Sequence, residues 1–276
     1  MRWFPKLIIL PTNDGWPHGS EKRSMIPIRD TIPRRNPPIA TWLIILANSL
    51  VFLFELALPE HQLLQFFYWF GLVPARYTHP TWALWVGLPV DDYFPFLTSM
   101  FLHGGWMHVI GNMWTLWIFG DNVEDRMGPI RFLFFYLSCG LAAGFVHWFI
   151  NPHSTMPTVG ASGAIAGVMG AYLFLFPRSR VIVLLPVLFF PFFFELPAVT
   201  YLGFWALTQV FSGTLSLASR ADVGGIAWWG HVGGFAAGML LQFLFVKRVD
   251  AYRRLSRDEY GIENAWIPVG YWRNYR

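Results

Sequence analysis

The sequence predicts an all-α membrane protein, a bundle of six helices that cross the bilayer, and three observations carry that reading. The first is composition: 55% of the 276 residues are hydrophobic, 19% aromatic and 13% charged, against about 25% charged residues in soluble domains. The second is a series of apolar runs near the ~20 residues that a helix needs to cross a bilayer. The third is the placement of positive charge along the chain. Helices are the spanning element for runs of this length, because each satisfies its own backbone hydrogen bonds.

The expected spans are 39–58, 106–122, 129–150, 160–177, about 196–212, and 229–246. Between the first two, residues 59–105 hold aromatic and leucine runs interrupted by Pro74, Pro80, Pro89 and Pro95. That mixture predicts a long loop lying in the membrane interface, where Trp and Tyr are at home. The apolar stretch 181–212 exceeds one span and is broken by Pro186, Pro191, Glu195 and Pro197. Its first part, 181–194, is too short to cross and reads as interfacial or as a bent entry into the fifth helix.

Charge supplies the independent check. With six spans and an inside N-terminus, the inner segments are 1–38, 123–128 with Arg131 just beyond, 178–180, and 247–276. These hold 18 of the 20 Lys and Arg residues, which leaves Arg76 and Arg220 outside and satisfies the positive-inside rule. A seventh span at 181–194 would put the basic tail outside. The net charge of +4 therefore reflects orientation and gives no reason to invoke nucleic acid. Residues 1–38 are expected to form a cytoplasmic N-terminal extension, 39–246 the six-span domain, and 247–276 a cytoplasmic tail. The "KLIIL" run near the N-terminus is too short to span and no small-residue cleavage site follows it, so the extension is expected to be uncleaved. Cys139 is the sole cysteine, which excludes an intrachain disulfide.

Within the spans, ionisable and amide side chains are costly and by default mark function. His108 and Asn112 lie in the second span, His147 near the outer end of the third, Ser162 in the fourth ("VGASGAIAGV"), and His231 in the sixth ("WWGHVGGFAAG"). The second, fourth and sixth spans all run from outside to inside, so His108, Ser162 and His231 share one depth near the outer end. His108 and Asn112 are four apart and project from one helical side. His231, Gly234 and Gly238 share a face, as do Gly163, Gly167 and Gly170. Two such faces can pack nearly backbone to backbone. Gly160, Gly163, Gly167, Gly234 and Gly238 are accordingly read as helix-packing positions.

Ser162 admits two readings. It is a small residue in a helix-packing stripe, or it is a nucleophile activated by the histidine base that this packing brings within reach. The second assigns Ser162 and His231 as a catalytic dyad, with Asn112, a His108 N–H and the Ser162 backbone N–H as oxyanion donors. No carboxylate is placed to orient the imidazole, so a dyad is expected and not a triad. The soluble-hydrolase elbow G-x-S-x-G is absent, residue 164 being alanine. Competing chemistries have less support. No H-E-x-x-H zinc motif occurs, and no aspartate pair lies within spans. The four histidines 103, 108, 147 and 231 lack a Cys or carboxylate partner in their layer, so no metal or other cofactor is expected. A histidine-relay transporter is a further alternative, but the two halves show no internal repeat.

The motifs "FLHGGWMHVIGNMWTLWIFGDNVEDRMG", "GASGAIAG" and "HVGGFAAG", in this order and on these spans, make the chain resemble the rhomboid intramembrane serine proteases over about residues 25–247. The resemblance implies that Ser162 is the nucleophile, His231 its base, and His108 and Asn112 contributors to the oxyanion hole. It also implies that His103 is structural. The Trp-Arg pair that some members carry in the long first loop is missing, and no seventh span or regulatory domain is visible, so the minimal six-helix bacterial form in the inner membrane is expected. Implied partners are single-pass transmembrane substrates cut near the outer surface, reached sideways from the lipid bilayer past the second and fifth helices. The polar loop Ser212–Gly225 would serve as a cap. A non-catalytic member of the same fold that binds transmembrane clients is the alternative.

Overall fold

The computed structural model describes residues 26–33, 35–187, 190–219 and 227–247. The expected extension before residue 26 and the tail after Lys247 lie outside the described residues, as does Arg220. Among the described residues, six long helices overlap the six apolar runs: α1 (Ile39–Ala57), α6 (Trp106–Met127), α7 (Pro129–Ile150), α8 (Ser162–Leu175), α9 (Ala198–Ser219) and α10 (Trp228–Phe245). Two of these, α1 and α7, are by themselves long and apolar enough to cross a bilayer. The others carry more glycine and polar side chains, and α8, with 14 residues, is only about 21 Å long at 1.5 Å per residue. Its residues Ala164 to Tyr172 are all buried, so it is the central helix, wrapped by its neighbours.

The all-α expectation needs one correction. The Pro-broken stretch after α8 is a β-hairpin, β2 (Arg180–Val187) and β3 (Phe190–Pro197), joined by β1 (Ile26–Asp30) into a three-stranded antiparallel sheet in the order β1-β2-β3. Alternation explains it: Val181 and Val183 are fully buried while Ile182 and Leu184 are only partly so, the period-2 pattern of a strand lying on a core. Pro186 is tolerated in the central strand because β1 pairs only with Val181 to Leu184, so no neighbour on that side needs its missing N–H. Arg180 and Glu195 form an ion pair across the hairpin at 2.8 Å. The fifth helix accordingly begins after Pro197 and continues to Ser219, absorbing the first part of the expected cap Ser212–Gly225; residues 220–225 of that cap lie outside the described residues.

Contacts sort the connecting segments into two sets, one at each end of the long helices. At one end, Thr31 N–H donates to the Arg180 carbonyl (3.0 Å) and Lys247 N–H to the Arg126 carbonyl (3.1 Å). Asn36 Nδ2 donates to Asp125 (2.5 Å). The buried Glu124 carboxylate of α6 accepts from Ala40 N–H (2.9 Å), Thr41 N–H (2.7 Å) and the Thr41 hydroxyl (2.8 Å), capping the positive end of α1. That duty explains why α6 runs on to Met127, past the expected residue 122, before Gly128 with φ +78° turns the chain into α7.

At the other end, residues 59–105 fold into α2 (Glu60–Phe70), three short helices α3 (Ala75–Thr78), α4 (Pro80–Trp85) and α5 (Pro95–Thr98), and a 3-10 turn at Ser99–Phe101. Arg76 is fully buried there. It donates to the carbonyls of Pro89 (2.5 Å) and Trp69 (3.3 Å) and pairs with Asp92 (2.9 Å). Burial pushes the neighbouring Tyr77 phenol up to about 12, which keeps it a neutral donor to the Asp92 carbonyl. The loop is fastened to the segment before α8: Leu72 and Thr158 exchange both backbone bonds at 2.9 and 2.8 Å, and Gly160 N–H donates to the Ser99 carbonyl at 2.8 Å.

The tightest contact in the bundle is between α8 and α10. A Cβ at Gly234 would overlap the Gly163 carbonyl, one at Gly238 the Gly167 carbonyl, and one at Gly170 the Phe235 carbonyl. Gly163 and Gly167 also face α7, through Ala143 and Cys139. Overpacking of this kind costs about 1–3 kcal/mol where side chains can yield, and here backbone meets backbone. Gly238→Ala should therefore lower the melting temperature in detergent by several degrees. Gly203→Ala on α9, where an added Cβ meets nothing within 4 Å, should leave it unchanged or raise it. Equal melting of both variants with the wild type would refute the close packing.

Candidate active site

Beside the N-terminal end of the α8 and α10 contact lies a cavity of about 220 Å³, lined in part by His108, Asn112, His147, Gly160, Ser162 and His231. Ser162 is the first residue of α8, and His231 sits in the first turn of α10. The glycine register determines their separation: Gly163 meets Gly234 and Gly167 meets Gly238, so one residue before Gly163 and three before Gly234 arrive side by side. The Ser162 hydroxyl and His231 Nε2 are 2.7 Å apart.

The imidazole tautomer follows from its second nitrogen. His231 Nδ1 lies 2.8 Å from Gln209 Oε1 on α9. An amide oxygen only accepts, so Nδ1 carries the proton, and Nε2 presents its lone pair to the serine O–H. Trp205 and Trp228 flank the ring at centroid distances of 5.9 and 6.3 Å.

His108 and Asn112 both line the cavity, as their spacing requires. His108 Nδ1 accepts from Gly104 N–H at 3.4 Å, which leaves its Nε2–H as a donor on the Gly160 side. Asn112 Nδ2 approaches His103 Nε2 at 3.0 Å, committing one amide hydrogen and leaving the other. His103 is buried away from the dyad, its backbone N–H held at 3.2 Å by both Glu55 carboxylate oxygens. His147 accepts from or donates to the Thr158 hydroxyl at 2.9 Å, holding the strand before α8 and not the dyad. The free N–H groups of the first turn of α8 add a positive end to the same cavity. Among the described residues, no group of three or more His, Cys, Asp or Glu side chains is placed to hold a metal ion.

The reading of one residue is corrected. Gly160 does not pack helices. It precedes α8 with φ +131°, and a Cβ there would lie 2.6 Å from His108 Nε2, so its lack of a side chain makes room for that ring. The group against the second imidazole nitrogen is an amide, that of Gln209, and not a carboxylate. Gln209 was findable. It is an amide inside the expected fifth span, as Asn48, Glu55 and Gln242 are polar groups inside the first and sixth, and all four are buried.

The sequence has counterparts among known proteins. The Rhomboid domain family matches residues 90–248, and the chain belongs to that family, which makes it an integral membrane protein. It is 30% identical over 176 residues to RHOMBOID-like protein 5 of Arabidopsis thaliana (63% of this chain, 48% of the relative). It is 28% identical over 169 residues to Rhomboid protein 1, mitochondrial, of Saccharomyces cerevisiae (60% and 45%). Over 89 residues it is 36% identical to Rhomboid protease GluP of Bacillus subtilis (32% and 17%). The chain spans less than half the length of each of these relatives.

Proposed function

We propose that this protein is an intramembrane serine protease that hydrolyses peptide bonds of single-pass transmembrane substrates near the outer membrane surface. In this reading all six long helices cross the bilayer, with the sheet, the N-terminal extension and the tail on the cytoplasmic side of a bacterial inner membrane. The observation that carries it is the 2.7 Å approach of Ser162 Oγ to His231 Nε2. The match to a family that includes a protease, GluP, supports it.

The chemistry follows from those two atoms. As Ser162 Oγ attacks the scissile carbonyl carbon, its proton passes to His231 Nε2. The carbonyl oxygen becomes an oxyanion, stabilised by donors that are already in place: His108 Nε2–H, the uncommitted Asn112 N–H, and the backbone N–H of Ser162 at the positive end of α8. Collapse breaks the C–N bond, and the imidazolium gives its proton to the departing amine. Water then attacks the acyl-serine ester while His231 takes its proton, and the proton returns to Ser162 Oγ as the acid leaves. The cavity of about 220 Å³ has room for the waters this step needs, each occupying about 30 Å³.

A fluorophosphonate tests the nucleophile without a known substrate. The detergent-solubilised protein should gain one adduct on Ser162, and Ser162→Ala and His231→Ala should gain none while melting close to the wild type. EDTA should leave labelling unchanged. A wild-type protein that is folded and unreactive would favour the client-binding alternative.

The donors make a separate expectation. Removing one oxyanion donor typically costs about 10²–10³ in turnover. Asn112→Ala should lose turnover to that extent on a transmembrane substrate, with apparent affinity much less affected, because the lost bond belongs to the transition state. A destabilised Asn112→Ala protein with full turnover would limit Asn112 to bracing His103.

A further inference from the structure

The dyad has a third member on a third helix. We propose that Gln209 is a positioning residue that holds His231 in the tautomer and orientation needed to act as a base; this rests on the protease reading above. Three observations support the assignment. Gln209 Oε1 is 2.8 Å from His231 Nδ1, the nitrogen that does not face Ser162. Gln209 is buried, with 5% of its surface exposed, so water cannot take its place. Its own amide group cannot turn over: Nε2 donates to the Trp205 carbonyl (3.2 Å) and to the Thr208 hydroxyl (3.1 Å). That hydroxyl spends its own hydrogen on the same carbonyl at 2.6 Å. With the proton on His231 Nδ1, a flipped amide would put its oxygen against the Trp205 carbonyl and its NH₂ against the His231 N–H, losing both of those bonds, and only the Thr208 hydroxyl could turn to suit it.

The consequence reaches the reacting atom. A neutral imidazole carries one ring proton, and the base is competent only when that proton is on Nδ1 and the Nε2 lone pair faces the serine. Gln209 rewards that arrangement alone. Unlike a carboxylate, it adds no charge to a site walled by apolar helices, where a buried ion would be costly. The arrangement also makes the base depend on α9, since Ser162, His231 and Gln209 come from α8, α10 and α9 in turn.

Gln209→Leu and Gln209→Glu separate this role from simple packing. Leucine cannot accept the Nδ1–H but fills similar space, so its melting temperature should equal or exceed that of the wild type. Glutamate accepts the Nδ1–H but sets a carboxylate against the Trp205 carbonyl, so it should melt lower. Reactivity should rank the other way. Gln209→Leu should lose roughly 10–100-fold in kcat and in the rate of Ser162 modification, with KM within about twofold. That is less than the ~10⁴-fold cost of an imidazole locked in the wrong tautomer, because a partnerless ring divides between both tautomers. Gln209→Glu should recover most of that loss despite its lower stability. Reactivity that follows stability, with Gln209→Leu as fast as the wild type, would overturn the inference and leave the dyad intact. An unreactive Ser162 in the wild type would overturn both.

Discussion

The α8 and α10 contact is the constraint on which the site depends. Within lipid, helices gain little from burying apolar surface against one another, and close approach of backbones supplies the packing instead. Here the carbonyls of Gly163 and Gly167 press on the α-carbons of Gly234 and Gly238, a geometry suited to weak Cα–H···O contacts. The repeat of four on both helices permits one register, with the helices parallel. Ser162 and His231 are each attached next to that register, so their 2.7 Å separation is a property of the backbone contact as much as of the two side chains. The small-residue stripe and the nucleophile are therefore one feature of the sequence.

Around that contact, each neighbouring element fixes one further degree of freedom. Helix α7 backs α8 through Ala143 and Cys139. The segment leading into Ser162 is held by Leu72, Ser99 and His147, and Gly160 keeps clear the space that His108 occupies. Helix α6 supplies His108 and Asn112 from one face, braced by His103 and, through it, by Glu55 of α1. At the opposite end, Glu124 caps α1, and the sheet packs Val181 and Val183 onto the core. The site end is thus held by many side-chain bonds, although the catalytic proposal involves few residues.

Much of this was legible because helical period and membrane thickness are strong constraints. Helix α7 spans the expected 129–150, α1 differs from its expected bounds by one residue at its C-terminal end, and α10 by one residue at each end. The meeting of His108, Asn112, Ser162 and His231 followed from depth and face. The sheet did not follow, because an apolar run broken by prolines reads equally as an interfacial segment. The decisive partner, β1, also lies about 150 residues earlier in the chain, a distance that periodicity cannot bridge. Gln209 is less legible for a chemical reason: an orienting group is expected to be a carboxylate, whereas a neutral amide satisfies the same nitrogen without burying charge.

Dyad geometry is a consequence of glycine packing, and Gly234 tests that most directly, since an added Cβ there would overlap the carbonyl of the residue next to Ser162. The measurement is the rate at which a fluorophosphonate modifies Ser162 in Gly234→Ala, on protein shown by circular dichroism and size exclusion to be folded. Gly111→Ala, where an added Cβ meets nothing within 4 Å, serves as the control. Displacement of reacting groups by about 1 Å costs on the order of 10²-fold in rate, so the account predicts a loss of that size in Gly234→Ala and none in the control. A folded Gly234→Ala protein labelled at the wild-type rate would contradict it.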